Sequence, residues 1–153
     1  MSQIDISTFK NELNELNNRY HKLLIVCGAD RNEAFGKIIE DLNIPTVNLN
    51  LELSRALLEI PISRRSRKTG EIVERLIWDC QSDIIYFDHI EFLFNPDLRQ
   101  DPVKLLMNLS RNKTLIISWP GEYKKGVLTY AEFGHAEYRT YSQVEAGIIS
   151  ISD

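Results

Sequence analysis

Apolar side chains recur along this chain with two different periods, and the periods divide it into helices and strands. Phe9, Leu13, Leu16 and Tyr20 are spaced by four, three and four residues, which puts them on one face of an amphipathic helix. The unbroken run Leu23-Leu24-Ile25-Val26-Cys27 follows and ends at Gly28. So short an apolar run reads as a strand buried on both faces. Ala34, Ile38, Ile39 and Leu42 predict a second helix that stops near Asn43 and Pro45.

Thr46-Val47-Asn48-Leu49 predicts a short strand, and Leu53, Leu57 and Ile60 a helix closed by Pro61. Ser63-Arg64-Arg65-Ser66-Arg67-Lys68 reads as a basic loop, after which Thr69 caps a helix carried by Ile72, Val73, Leu76 and Ile77. Asp83-Ile84-Ile85-Tyr86-Phe87-Asp88 is a second buried strand with an acid at its carboxyl end. Asp101-Pro102 opens a helix with a cap and then proline at the first helical position; Leu105, Leu106 and Leu109 give it a buried face. Thr114 to Trp119 is a third buried strand, broken by Pro120-Gly121. Leu128 to Tyr130 reads as an edge strand and Gly147 to Ser152 as a last strand.

Apolar strands alternating with helices imply an α/β fold whose parallel sheet is covered on both faces. The expected organisation is an N-terminal amphipathic helix over residues 1–21 and one domain over 22–153; 153 residues suit a single domain. Ligands in such sheets bind outside the carboxyl ends of the strands. Three places therefore matter: the loop after Cys27, Asp88, and Ser118 to Gly121.

Composition narrows the classes. Hydrophobic residues at 43% and charged residues at 26% argue for a packed globular chain rather than a disordered one. A net charge of −4 argues against a basic nucleic-acid binder as a global description. No apolar run approaches the ~20 residues that span a bilayer, and the first residues resemble no secretory leader. Cys27 and Cys80 both lie in apolar surroundings and read as buried thiols, so a cytoplasmic location is expected.

Strand, glycine-started loop, helix is the setting of a phosphate-binding loop, whose pattern is G-x-x-x-x-G-K-[ST]. Gly28 stands where the first glycine belongs, but Glu33, Ala34 and Phe35 replace the second glycine, the lysine and the hydroxyl. Gly36-Lys37 occurs three positions late, which on a helix moves Lys37 about 4–5 Å along the axis. Asp30 and Glu33 bring negative charge that Arg31 and Lys37 would offset in part. The segment is either a degenerate Walker A loop or a plain strand-to-helix turn.

Asp88 and Glu91 form the second constellation. An acid ending this strand would hold magnesium, and a Glu three residues on would orient or deprotonate an attacking water; the same spacing is also that of a capping box. Ser118 would meet a nucleotide's last phosphate or cap a turn. Between Arg55 and Arg75 six cations face three glutamates. Arg64, Arg65, Arg67 and Lys68 would meet DNA phosphates, an acidic protein or water alone. His21, His89 and His135 are far apart in sequence, with no zinc-like spacing, and no G-x-S-x-G elbow is present.

Longer segments carry a resemblance. They are Leu51 to Pro61, Phe87 to Phe94, Asp101 to Leu106, Leu109 to Asn112, Ser118 to Gly121 and, most specifically, Leu128 to Arg139. In these the chain resembles the BrxF family, small P-loop proteins of type 3 BREX bacteriophage-exclusion systems in bacteria. The resemblance implies a P-loop NTPase-like three-layer sandwich with an AAA-like (ASCE) core and no helical lid domain. It implies antiviral defence inside an assembly with a large ATPase, a DNA methyltransferase and an alkaline-phosphatase-like protein. It also implies ATP and magnesium as cofactors, Asp88 and Glu91 as the acidic pair, and Arg139 as a phosphate sensor. A homo-oligomer in which Arg99 or Arg111 reaches a neighbour's site fits the same resemblance. The departures at Glu33, Ala34 and Phe35 put hydrolysis in doubt, so the expectation is a subunit acting through contacts with larger proteins. The alternatives are an ATPase with a rearranged loop and a DNA-contacting module built on Arg64 to Lys68.

Overall fold

The computed structural model describes residues 5–131 and 134–151, with the side chain of Arg31 excepted. In chain order the elements are α1 (Ile6–Leu16), β1 (Leu23–Cys27), α2 (Glu33–Asp41), β2 (Thr46–Asn48), α3 (Leu49–Leu58), α4 (Ile62–Asp79) and β3 (Ile84–His89). They continue with α5 (Pro102–Leu109), β4 (Thr114–Trp119), β5 (Glu122–Lys124), β6 (Val127–Tyr130), β7 (Arg139–Ser142) and β8 (Gly147–Ser150). One sheet runs β2-β3-β4-β1-β8 with every neighbouring pair parallel, and β5-β6-β7 form a separate antiparallel meander.

The period of two along each strand divides the core between the two faces of the main sheet. Leu23, Ile25, Ile85, Phe87, Leu115 and Ile117 face a cluster completed by Leu49, Leu53 and Leu57 of α3, Val73 and Ile77 of α4, and Leu106 of α5. Leu24, Val26, Tyr86 and Ile116 face the other, completed by Phe9, Leu13 and Leu16 of α1 and by Phe35, Ile38 and Ile39 of α2. Phe35 is the hub of that second cluster, meeting the rings of Phe9 and Tyr86 edge to face. Leu42 closes α2, and Asn43, next along, takes the left-handed conformation that asparagine tolerates past a helix end.

Four expectations need correction. Ser63 to Lys68 is helix, not loop: α4 begins directly after Pro61, and Arg and Lys are good helix formers, so nothing delays the first turn. Thr69 therefore caps nothing; it is buried inside α4 and its hydroxyl donates to Arg65 O at 2.7 Å. Leu128 to Tyr130 is the middle strand of the meander, not an edge, because β5 and β7 pair on either side of it. Cys80 is half-buried at the end of α4, whereas Cys27 is buried as expected. The last strand, β8, joins the edge of the main sheet beside β1; Ser152 lies outside the described residues.

Candidate functional site

Alternation along β3 sends Ile85 and Phe87 to one face and Tyr86 to the other, so Asp88 lies on the side of Tyr86, the side that α2 covers. Ser118 lies on that side too, one step beyond Ile117 in β4. Ile117 pairs with Phe87 and Ser118 with Val26, which sets Asp88, Ser118 and the β1 end side by side. There the carboxyl ends of the strands open into a cleft of about 610 Å³. Asp88 and Ser118 line it from strands of the main sheet, Asp30 and Glu91 from the turns that follow β1 and β3, and Tyr130 and His135 from the region of the meander. The meander is tied over this end by Trp119 Nε1, which donates to Thr129 O at 3.1 Å.

The acids are held differently. Asp88 Oδ1 is buried, and its near neighbour is His89 Nδ1 at 3.0 Å; it accepts no aligned hydrogen bond among the described residues. The contact with Asp88 holds the His89 imidazole above its ordinary range. Glu91 Oε1 accepts from Ile90 N–H at 2.9 Å and from Asn50 Nδ2 at 3.5 Å, while Asn50 Oδ1 accepts from Phe92 N–H at 2.7 Å. Asp88 thus caps no turn, and the capping-box alternative does not hold: β3 continues through His89, so the following 3-10 turn starts at Glu91, too late for Asp88 to reach.

Two tyrosines wall the cleft. Burial pushes the Tyr86 hydroxyl up to about 12, helped by Asp88 and Asp30 and opposed by its hydrogen bond with Ser118. Ser118 is buried within β4 and so caps no turn. Burial, then Glu137 and Glu91, push Tyr130 up to about 12; its ring stacks on Phe94 at 3.8 Å.

The loop after β1 decides what the cleft accepts. Gly28 has φ of 88°, and a Cβ there would run into Ile151 O, so only glycine fits the turn. A 3-10 turn over Ala29–Arg31 follows, and Asn32 caps α2 by accepting from Phe35 N–H at 2.9 Å. A magnesium nucleotide held in the usual manner needs free amides and a cation in that first turn. Here one of those amides is taken by Asn32, Phe35 is buried in the core, and the charged groups facing the cleft include Asp30, Asp88 and Glu91. Gly36 and Lys37 are exposed in the next turn of α2 and do not line the cleft. The described residues of this turn therefore do not fit the phosphates of a magnesium nucleotide, although Asp88 and Glu91 are of the type that holds the metal.

Asp88, Glu91, Ser118 and the end of β1 at Gly28 are thus brought together; Gly36, Lys37 and Arg139 are not. Arg139 sits on β7 opposite Tyr130, beside the Tyr141 hydroxyl. Arg64, Arg65, Arg67 and Lys68 belong to the first turns of α4, and Arg65 is turned back to donate to Ile60 O at 2.9 Å. Arg111 lies over the Tyr20 ring at 4.4 Å. Tyr130, His89 and His135 also line the cleft and are not legible in the sequence as site residues, nor is Asn50, which holds Glu91 from an adjoining groove. Asn50 meets Glu91 across 41 positions of chain, a distance no local pattern spans. Among the described residues no group of three or more His, Cys, Asp or Glu is placed to hold a metal ion, and no helix is long and apolar enough to cross a membrane. No family model, curated protein or solved structure matches the chain.

Proposed function

We propose that this chain is a P-loop NTPase-like subunit of a BREX-type bacteriophage-exclusion system that acts through contacts with larger proteins and not through nucleotide hydrolysis. The BREX part rests on the sequence resemblance. The observation that carries the non-hydrolytic part is the closed first turn of α2. Asn32 occupies an amide that a phosphate would need, and Phe35 is committed to the core. The parallel sheet, with Gly28, Asp88 and Ser118 at adjacent strand ends, supports an AAA-like core without a helical lid domain. Among the described residues the cleft keeps the acids of such a core without its phosphate-binding half.

Calorimetric titration of the full chain with ATP and magnesium tests the non-hydrolytic part. No binding heat is expected into the millimolar range. Micromolar binding that disappears in Lys37→Ala would overturn this reading in favour of a working ATPase. Co-expression with a BREX large ATPase, methyltransferase and phosphatase-like protein tests the rest: at least one is expected to copurify, and failure of all three would overturn it.

A further inference from the structure

The amino ends of β1 and β4 lie side by side, at the opposite end of the main sheet from the cleft. Leu23 pairs with Leu115, and Lys22 N–H donates to Ser110 O at 2.8 Å. That pairing sets Tyr20 to Lys22, just before β1, against the turn from α5 into β4 that holds Arg111 to Lys113. The end of α4 packs beside them: Trp78, Arg111 and Lys113 line one groove of about 300 Å³. Tyr20 and Trp78 are the most exposed aromatic rings among the described residues, at 64% and 59%. Each carries a cation, the Arg111 guanidinium over Tyr20 and the Lys113 ammonium at 5.8 Å from the centre of the Trp78 ring. Arg111 shares the groove with Trp78 and lies over Tyr20, so ring, guanidinium and ring follow one another across the surface.

These cations are held in place without counter-ions. Lys113 Nζ donates to Ile77 O at 2.9 Å and to Cys80 O, and Lys22 Nζ donates to Arg111 O at 3.0 Å. Carbonyls fix an ammonium but leave its charge uncancelled and a donor to spare. Lys113 also offsets the negative end of the α4 dipole, which would otherwise repel an anion from the groove. Arg55, Lys68 and Lys124 meet carboxylates, whereas Lys22, Arg111 and Lys113 are in no ion pair among the described residues. Glu74 is the one carboxylate among the described residues that line the groove.

We infer that this end of the sheet binds single-stranded nucleic acid, with bases stacked on Trp78 and Tyr20 and the phosphate between them met by Arg111, Lys22 and Lys113. Rings alternating with cations match the bases and phosphates that alternate along a single strand. A duplex hides its base faces from both rings, and an acidic peptide would use the cations while leaving the rings without a partner. The surface stands apart from the cleft, and its test does not depend on the defence system proposed above.

The full chain is titrated with an end-labelled oligothymidylate of about 12 nucleotides, followed by anisotropy of the label and by tryptophan fluorescence. Trp119 is buried, so quenching on binding reports Trp78. Binding with quenching is expected. Tyr20→Ser/Trp78→Ser is expected to weaken it about tenfold or more. Arg111→Gln is expected to weaken it and to lower the slope of log affinity against log salt by about 0.7, the share of one phosphate contact on a single strand. All three positions are exposed, so both variants keep the wild-type fold by circular dichroism. Four results would overturn the inference: no binding at low salt, binding that leaves tryptophan fluorescence unchanged, equal affinity in the wild type and both variants, or a loss of affinity with Arg64→Gln/Arg67→Gln and none with Arg111→Gln. A duplex of the same length or a polyglutamate peptide that binds as tightly as the single strand would overturn it as well.

Discussion

The cleft at the carboxyl end of the main sheet and the shoulder between α3 and α4 differ in charge, and they differ more deeply in how each is attached to the core. Around the cleft nearly every group has a structural duty as well: Phe35 packs between Phe9 and Tyr86, Gly28 passes under Ile151 O, and Glu91 is held by Asn50 and the Ile90 amide. On the shoulder Leu58, Ile62, Arg64 and Arg67 are exposed, and among the described residues they belong to neither core cluster and to no ion pair. A site built into the core is expensive to alter, whereas residues laid on the surface can change at little cost to the fold. Asp88 and Glu91, beside a first turn of α2 closed by Asn32 and Phe35, fit the first case.

The sharpest way to break this contrast is to put a phosphate-motif hydroxyl into the first turn of α2. Phe35→Thr supplies the hydroxyl the pattern requires but empties a site that is 1% exposed, and is expected to cost about 3–5 kcal/mol. Denaturant unfolding measures it; a cost near zero would mean that the first turn of α2 is free to adapt. Gly28→Ala comes next. The left-handed conformation alone costs roughly 1–2 kcal/mol, and contact with Ile151 O adds to that. Gly36→Ala is its control: the space around Gly36 is open, so the helix should gain about 0.5–1 kcal/mol.

A smaller effect is confined to alkaline pH. Burial raises Tyr86, Tyr130 and Tyr141 from 10.0 to about 12 and Cys27 from 9.0 to about 11. Each group keeps its proton longer in the folded than in the unfolded chain. Stability from these groups is thus fully present below their unfolded values and is lost as pH rises through the folded ones. The denaturant midpoint should fall across pH 9 to 12, and Tyr86→Phe should flatten part of that fall. The smallest change belongs to the shoulder: Arg64→Glu puts a favourable charge near a helix start and should leave stability unchanged or raise it by about 0.3–1 kcal/mol. A clear loss of stability there would erase the distinction between the two regions.

Much of this molecule could be read before its structure. Leu23 to Cys27, Ile84 to Phe87 and Thr114 to Trp119 announce buried strands because a strand covered on both faces is built mostly from apolar side chains. Asp5, Asn32, Asn48 and Asp101 cap helices within three residues of themselves, and of these the Asp101 cap is legible in the sequence because Pro102 follows it. Arg64 to Lys68 misled because charge looks like loop, while a helix needs only one buried stripe, here Thr69, Val73 and Ile77. Asn50, Tyr130 and His135 stayed hidden because their place beside Asp88 and Glu91 depends on contacts between distant segments.

The sequence by itself determined the alternation of strand and helix, the acid at the end of β3 and the misplacement of Lys37, since each depends on residues within a few positions of one another. Only the tertiary structure decided that Asp88, Ser118 and Glu91 share a cleft with Asp30, that Asn32 and Phe35 close the phosphate position, and that Leu58 and Ile62 face solvent. Strand order and long-range packing set those relations. No period of two or of 3.6 residues encodes which strands become neighbours.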